Sequence, residues 1–309
     1  MRTRLLVSTA LAASLVALTA CSGRAGAQDA PAPAAVDPPF AEYRRLAAAL
    51  PHYQASGTPQ QVAEIERSLE SWRGLPRQFP RGVVIVNIPE FMARVYDAAL
   101  SPVIHMRVIV GQPKTPTPVF SGTISHLIFA PYWNVPPSIL HKEILPDIRK
   151  DRSYLKKNDF EVQDQRGNVV STGEVTEEIL AGLRSDRYKV RQVPGAKNAL
   201  GRVKVMFPNE ENVYLHDTNS RSLFQKPVRA FSHGCIRIEK PQELAEWLLR
   251  NDSAWPKQRI AEALKETAPL QVNLKQTVPV YIVYHTAAAN DAGEVTFYKD
   301  LYDRNTELP

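Results

Sequence analysis

The chain has 309 residues, of which 44% are hydrophobic and 23% are charged, and its formal net charge is +6 at pH 7. This length and composition predict a globular protein with one large core or two modest ones. Lys and Arg are spread along the chain without a helix-turn-helix, zinc-finger or aromatic RNA-binding signature, which argues against a nucleic-acid partner. The two cysteines, Cys21 and Cys235, belong to no Cys-x-x-Cys or Cys/His cluster with ligand spacing. Neither a metal nor another cofactor is therefore expected.

The first twenty residues have the pattern of an export signal. Arg2 and Arg4 precede an uncharged apolar run from Leu5 through Leu18. This run is short for a transmembrane helix, which needs about 20 apolar residues. We predict a signal peptide over residues 1–20.

The segment after this run predicts a lipid anchor and a tether. Leu18-Thr19-Ala20-Cys21 resembles the lipobox of bacterial lipoproteins, in which the cysteine is acylated and becomes the mature N-terminus. The alternative is a plain cleaved signal peptide with a coincidental cysteine. Ser22 rather than Asp follows the cysteine, which for such lipoproteins implies a periplasmic protein anchored in the outer membrane. The lipidated N-terminus would continue, over residues 21–39, as a flexible tether rich in Ala, Pro and Gly.

Two short helices are predicted next, over residues 40–50 and 59–72, because their apolar residues recur at helical spacing. Thr58 followed by Pro59 is typical of a helix start. This helical segment, residues 40–78, is too small to bury a core alone. We expect it to pack on the domain that follows.

The remaining chain, residues 79–305, is predicted to be one mainly β domain. β-branched runs separated by turn residues recur through it, and helices are expected near residues 241–251 and 256–264. Between the strands, residues 138–195 contain helical patterns and one hairpin, and we interpret them as an insertion that serves as a lid or binding element. The strand-like runs lie at residues 82–88, 93–96, 104–111, 119–129, 202–207, 212–216, 279–285 and 294–298.

Cys235 is the candidate nucleophile. Cysteine is the best side-chain nucleophile near neutral pH, whereas an arbitrary lone cysteine is more often a buried, inert thiol. With Cys21 assigned to the anchor, Cys235 would be an unpaired thiol in an oxidising compartment, where retaining it needs a reason. Main-chain N–H groups around Gly234 and Cys235 are natural donors to an oxyanion.

Two histidines are available as the base that would deprotonate this thiol. His216 ends a predicted strand nineteen residues before Cys235, and His233 precedes Cys235 by two residues. His216 is favoured over His233 as the direct partner, because a strand, a loop and a return strand could bring its imidazole beside the thiol.

Two stretches carry a family resemblance. Tyr214-Leu215-His216-Asp217-Thr218 and Ser232-His233-Gly234-Cys235-Ile236-Arg237 resemble the signature of the L,D-transpeptidase (YkuD-type) catalytic domain, the cysteine enzymes of bacterial peptidoglycan. Residues 106–111, 131–136, 198–203 and 207–209 are similar to its YcbB-like branch. The resemblance covers about residues 75 to 305. It implies a β-sandwich catalytic domain with an inserted α-rich capping subdomain at about 138–195.

The resemblance also implies a reaction. Cys235 would attack the carbonyl at the L-centre of diaminopimelate in a donor tetrapeptide stem, and the terminal D-alanine would leave. The resulting thioester would be resolved by the side-chain amine of a diaminopimelate on a second stem. Carbapenems would be covalent inhibitors that acylate Cys235.

Residue roles follow from the same resemblance. The base falls on His216, with the main-chain carbonyl of Asp217 orienting its ring, while His233 and Gly234 would support the oxyanion and the loop. For the aromatic candidates for substrate contact, core packing is an equally good interpretation. The substrate contacts would come from Arg237, Ser232, Tyr214, Trp133 and Asn198.

Other functions stay open on the sequence alone. Water or another amine could replace the acceptor, which would make the protein an L,D-carboxypeptidase or an enzyme that attaches or releases a wall-linked protein. A non-catalytic peptidoglycan-binding lipoprotein is a further alternative. YcbB-like enzymes usually carry a scaffold and a peptidoglycan-binding domain before the catalytic part, where this sequence has residues 40–75. We therefore expect the lipid anchor to confine the protein beside the wall.

Overall fold

A closed β-sheet forms the centre of the structure, which is a computed structural model that describes residues 37–306. The predicted signal peptide, Cys21 and most of the predicted tether lie outside the described residues. The strands are β1 (Val83–Asn87), β2 (Met92–Tyr96), β3 (Pro102–Gly111), β4 (Phe120–Phe129), β5 (Trp133–Asn134), β6 (Phe160–Gln163), β7 (Val169–Ser171), β8 (Lys189–Gln192), β9 (Val203–Met206), β10 (Leu215–His216), β11 (Ala230–Ser232), β12 (Ile236–Ile238), β13 (Leu270–Val283), β14 (Ala287–Ala289) and β15 (Val295–Phe297).

Helices precede the first strand of this sheet, and others lie between its later strands. They are α1 (Ala41–Ser56), α2 (Pro59–Arg73), α3 (Pro137–Ile139), α4 (Leu145–Lys150), α5 (Tyr154–Lys157), α6 (Glu177–Arg184), α7 (Pro241–Leu248) and α8 (Lys257–Ala263), with a π-helical turn at Leu140–Ile144 and 3₁₀ turns at Arg221–Gln225 and Arg304–Thr306. No helix within residues 37–306 is long and apolar enough to cross a membrane.

Nine strands form the central sheet, in the order β11-β3-β12-β10-β9-β4-β13-β1-β2. Because β3 also pairs with β2, the sheet closes on itself and encloses a core. Alternate residues of these strands supply that core, and helices α7 and α8 add apolar side chains to it. The predicted mainly β architecture is confirmed.

The two N-terminal helices pack on the outside of this sheet. Phe40 and Ile65 are fully buried in a second core that they share with Val83 of β1. Thr58 caps α2 with a reciprocal capping box, as its sequence predicts. Helix α1 continues through Pro51 to Ser56, beyond the predicted end at residue 50, although an internal proline removes a helical hydrogen bond.

Residues between β4 and β9 form a layer with a third core of its own. It contains helices α3 to α6 and a four-stranded sheet of order β5-β8-β6-β7. The hairpin predicted near residues 160–170 is confirmed as the β6–β7 pair. The other two strands of this sheet were not predicted, because β5 has two residues and β8 is a four-residue strand with a single apolar residue, Val190. The domain limits assigned from the sequence stay a prediction.

Candidate active site

Three neighbouring strands bring several of the candidate residues to one face of the closed sheet. β10 lies between β9 and β12, and His216 lies directly opposite Lys204 of β9 and Arg237 of β12. Side chains directly opposite one another share a face of the sheet. Leu215, one residue earlier, is buried in the central core, so His216 points away from that core. Arg237, His216 and Lys204 thus form a side-chain row across three strands, which we call the cross-strand row.

Cys235 adjoins this row. The main-chain N–H of Ile236 donates to the carbonyl oxygen of Tyr214 at 3.1 Å, so Cys235 and Tyr214 are neighbours across the β10–β12 pair. Ile236 is fully buried in the central core, which places the preceding Cys235 on the opposite face, with His216. The chain from His216 to Cys235 is a crossover between two parallel strands.

His216 is buried and is held in one tautomer. Its Nδ1–H donates to the carbonyl oxygen of Asp217 at 2.5 Å, which leaves Nε2 as the proton acceptor. Burial, with a smaller effect from the positive charges of Arg237 and Lys204, lowers the pKa of His216 to about 3. The imidazole is therefore neutral near neutral pH, which is the form that a general base requires.

Asp217 also holds the turn that follows His216. Its carboxylate accepts from the main-chain N–H of Arg202 at 2.9 Å and from Nη1 of Arg221 at 2.9 Å. Gly201 approaches this carboxylate so closely that an added Cβ would lie 2.4 Å from the Asp217 carboxyl carbon. The side chain of Asp217 therefore fixes the backbone whose carbonyl orients the base.

Cys235 carries a protonated thiol in this structure. Burial raises its pKa, although hydrogen bonds with Tyr214 and the charges of Lys204 and Arg237 oppose that effect. The Sγ atom lies 3.7 Å from the carbonyl oxygen of Asn212. Attack by this thiol thus needs a base close at hand.

The loop that carries Cys235 is braced from within. The buried Ser232 hydroxyl donates to the carbonyl oxygen of Cys235 at 2.5 Å and accepts from the N–H of Gly234 at 3.3 Å. Gly234 has a φ of +113°, which side chains with a Cβ rarely adopt. The Ser232 hydroxyl and the Gly234 N–H are thus engaged within the loop, and the substrate and oxyanion roles predicted for these two residues stay predictions. Among residues 37–306 the N–H of Cys235 has no acceptor, which makes it the better oxyanion donor.

A brace from the C-terminal segment, which sequence reasoning missed, reaches the same loop. The Tyr302 hydroxyl donates to the carbonyl oxygen of Gly111 at 2.7 Å and accepts from the N–H of Thr117 at 3.2 Å. The Thr117 hydroxyl in turn donates to the carbonyl oxygen of Gly234 at 2.8 Å. These partners are far apart in sequence, so no local pattern could have identified them.

His233 contacts the segment between β4 and β9. Its Nε2 lies 2.6 Å from Oε1 of Glu143, which is part of the π-helical turn. Both side chains are partly exposed. The pair links the loop of Cys235 to that segment, and His216 is the histidine that shares the face of Cys235.

Asn198 and Trp133, two of the predicted substrate contacts, interact with other residues of the protein. Asn198 is fully buried, and its Nδ2 donates to the carbonyl oxygens of Pro131 and Val193 while its Oδ1 accepts from the N–H of Leu200. These bonds engage Asn198 with the surrounding backbone, and its role as a substrate contact stays a prediction. Trp133 is half-buried, with its ring centroid 5.9 Å from that of Phe160, in the core between β4 and β9.

Sequence reasoning also missed Lys204. The residue alternates with buried Val203 and Val205 on β9, so a polar residue on the outer face was expected there. Only the strand register shows that this face is the one that carries His216.

Within residues 37–306, no group of three or more His, Cys, Asp or Glu is placed to bind a metal ion.

Comparisons with known proteins identify the same family that the motifs around His216 and Cys235 resemble. A family model described as the YkuD L,D-transpeptidase catalytic domain matches residues 81–282. A Haemophilus influenzae protein, whose name assigns it provisionally to the L,D-transpeptidases, is 30% identical over 268 residues, which are 86% of this chain and 53% of that protein. The chain thus spans about half the length of this relative.

Solved structures of low sequence identity also match. An L,D-transpeptidase from Mycobacterium smegmatis is 15% identical, with 66% of this chain and 58% of that chain covered and a TM-score of 0.32. An LD transpeptidase solved in complex with imipenem is 12% identical, with 65% of this chain and 58% of that chain covered and a TM-score of 0.31.

Proposed function

Because the chain belongs to the YkuD family of L,D-transpeptidase catalytic domains, we propose that it cross-links peptidoglycan stems through a thioester on Cys235. The observation that carries this proposal is the shared face of Cys235 and His216 on adjacent parallel strands. His216 is neutral and its Nδ1–H is held by Asp217, so Nε2 is available to take a proton.

In the first half-reaction, Sγ of Cys235 forms a bond to the carbonyl carbon at the L-centre of the donor's diaminopimelate. The thiol proton passes to Nε2 of His216, and the negative charge on the carbonyl oxygen is stabilised by the Cys235 N–H. Collapse of this intermediate breaks the C–N bond, and His216 returns the proton to the departing amine of D-alanine. One well-placed oxyanion donor is typically worth about 10² to 10³ in rate.

In the second half-reaction, an amine of a second stem attacks the thioester carbonyl. His216 takes a proton from that amine, the C–S bond breaks, and the sulfur recovers its proton. Both resting groups are uncharged, since the pKa of Cys235 is raised and that of His216 is lowered. Proton transfer is therefore coupled to attack, instead of preceding it as a stable ion pair.

Incubation of the full chain with defined tetrapeptide muropeptides, followed by mass spectrometry, tests this proposal. Cross-linked dimers are expected. Monomers shortened by D-alanine alone would indicate an L,D-carboxypeptidase, and no change would leave only the wall-binding alternative. All products must disappear in Cys235→Ala while an exposed-site variant such as Lys265→Met retains them.

We also propose that carbapenems acylate Cys235, since a family member was solved in complex with imipenem. The sulfur would open the β-lactam ring and keep the whole drug as an adduct. An intact mass that does not increase after exposure to imipenem would overturn this point. Cys235→Ala is the matched control.

For the untested N-terminus, we propose a signal peptide over residues 1–20 and a lipid anchor on Cys21 that holds the enzyme beside the wall. Labelled fatty acid should be incorporated by the wild-type chain and not by Cys21→Ser. If Cys21→Ser remained in the membrane fraction and fully active in cells, the anchor would have no targeting role.

A further inference from the structure

Lys204 places an ammonium group beside the candidate nucleophile. Its Nζ lies 3.8 Å from the ring centroid of Tyr214, the residue that hydrogen-bonds with Cys235. In the strand register, Lys204 is directly opposite His216 and diagonal to Tyr214. Lys204 is therefore held on the face where the reaction is proposed to occur.

Arg237 lies on the other side of His216 in the cross-strand row. Its Nε is buried and has no hydrogen-bond partner among residues 37–306. Within the part of the chain described, the thiolate form of Cys235 is the one anion whose charge acts on either Arg237 or Lys204. Two partly buried cations thus flank the base, and no carboxylate among residues 37–306 is placed to neutralise them.

Such an arrangement costs stability, because a buried charge normally needs a partner of opposite sign. Burial lowers the pKa of Lys204 and also that of Arg237. The cation–π contact with Tyr214 offsets only part of the cost of burying Lys204, since such contacts are worth about 0.5 to 2 kcal/mol. An anion arriving from outside the protein would relieve the remaining cost.

We propose that Lys204, with Arg237, binds the C-terminal carboxylate of the donor stem and so selects donors that end in a free acid. This inference rests on the proposed function. In such a donor, the carboxylate carbon is separated from the attacked carbonyl carbon by the amide nitrogen and one Cα. The Lys204 ammonium lies over Tyr214, on the face of the sheet that carries His216 and Cys235, which is the side where this carboxylate would lie.

The same subsite serves the second half-reaction. The departing D-alanine carries an amine next to a carboxylate, and the side-chain amine of diaminopimelate is also next to a carboxylate. Once D-alanine has left, the acceptor presents the same pair of groups to Lys204 and to the thioester. The anion site therefore positions both the leaving group and the incoming nucleophile.

Alkylation of Cys235 by two small reagents tests the anion site without relying on enzymatic turnover. Iodoacetate and iodoacetamide each form an S–CH2 bond and release iodide, but only iodoacetate carries a carboxylate. Rates are measured on the full chain from the Cys235 peptide by mass spectrometry, in wild type, Lys204→Met, Lys204→Arg and the exposed control Lys265→Met. Thermal unfolding of each variant checks that it is folded.

The ratio of the iodoacetate rate to the iodoacetamide rate should fall about tenfold in Lys204→Met, because a nearby positive charge attracts only the anionic reagent. Lys204→Arg keeps the positive charge and should therefore retain a ratio above that of Lys204→Met, and Lys265→Met should keep the wild-type ratio within about twofold. If both reagents slow equally in Lys204→Met, the lysine acts on the ionisation of the thiol, and the proposed subsite is wrong. An unchanged pair of rates would reduce Lys204 to a packing contact on Tyr214.

Turnover provides the second measurement. Donor tetrapeptides ending in a carboxylate and in a carboxamide are compared, and Lys204→Met should lose most of the preference for the acid through an increase in KM. Equal loss on both donors would overturn the subsite. A wild-type chain that turns over neither donor, yet shows the Lys204-dependent alkylation ratio, would retain the anion site and refute the proposed function.

Discussion

His285 should make the fold sensitive to acid, independently of catalysis. Its ring is buried between α2 and the sheet, with Nε2 2.9 Å from the Ser71 hydroxyl and its ring centroid 4.7 Å from that of Trp72. Burial lowers the pKa of His285 from 6.5 to about 3. Between these two pH values the unfolded chain binds a proton that the folded chain refuses, so acid favours unfolding.

The magnitude follows from that shift. A histidine with a pKa of 6.5 when unfolded and about 3 when folded stabilises neither state above the higher value. On lowering the pH from about 7 to about 5, it should remove about 2 kcal/mol from the free energy of unfolding. His216, whose pKa is also lowered to about 3, should remove a similar amount.

Urea unfolding of wild type and His285→Gln at these two pH values isolates the contribution of His285. The glutamine can retain a hydrogen bond to Ser71, and it does not titrate. We expect the variant to lose about 2 kcal/mol less than wild type on acidification, whatever its stability at the higher pH. His52→Gln, at an exposed site, should behave as wild type. A difference between wild type and His285→Gln that does not change with pH would refute the reasoning.

Three substitutions test the supports of the site. Gly201→Ala should lower the free energy of unfolding by about 1 to 3 kcal/mol and should also slow carbapenem acylation. Gly201 has a φ of +61°, and an added Cβ would displace the Asp217 carboxylate. Urea unfolding identical to that of wild type would contradict this prediction. Glu143→Gln should increase deuterium uptake around the π-helical turn, while the loss of the partly exposed contact between Glu143 and His233 costs less than about 1 kcal/mol of overall stability. Uptake equal to wild type would exclude a linking role for that pair. Tyr302→Phe should slow acylation through loss of the loop brace, and an unaltered rate in a folded variant would show that the hydroxyl is dispensable.

The sequence predicts local features well where a pattern repeats along the chain. The strands around residues 83–129 follow from β-branched runs separated by turn residues, and the start of α2 follows from Thr58 and Pro59. The first half of β13 was missed because it contains Asn273 and Lys275, residue types that are uncommon in strands. Such a strand is stabilised mainly by pairing with β4, which no local pattern encodes.

The candidate site shows the same limit. Cys235 and His216 stand in motifs that can be read directly, whereas Lys204 is a single charged residue among valines. Its place opposite His216 depends on a register between strands that are twelve residues apart in sequence. Asn198 lies in a stretch that the sequence identifies easily, yet the structure shows its side chain hydrogen-bonded to the surrounding backbone, which the sequence does not reveal.

The N-terminal helices determine where the smallest folding unit of this protein begins. The family match begins at residue 81, yet the ring of Phe40 lies 4.9 Å from that of Trp72 and 5.2 Å from that of Tyr96, between centroids. All three aromatics are buried in the core beneath α1 and α2. A large buried aromatic covers about 150 to 250 Å² of surface, worth about 4 to 6 kcal/mol at 25 cal/mol per Å². The unit defined by the family model is therefore smaller than the unit that folds, and a portable module would have to start before Phe40.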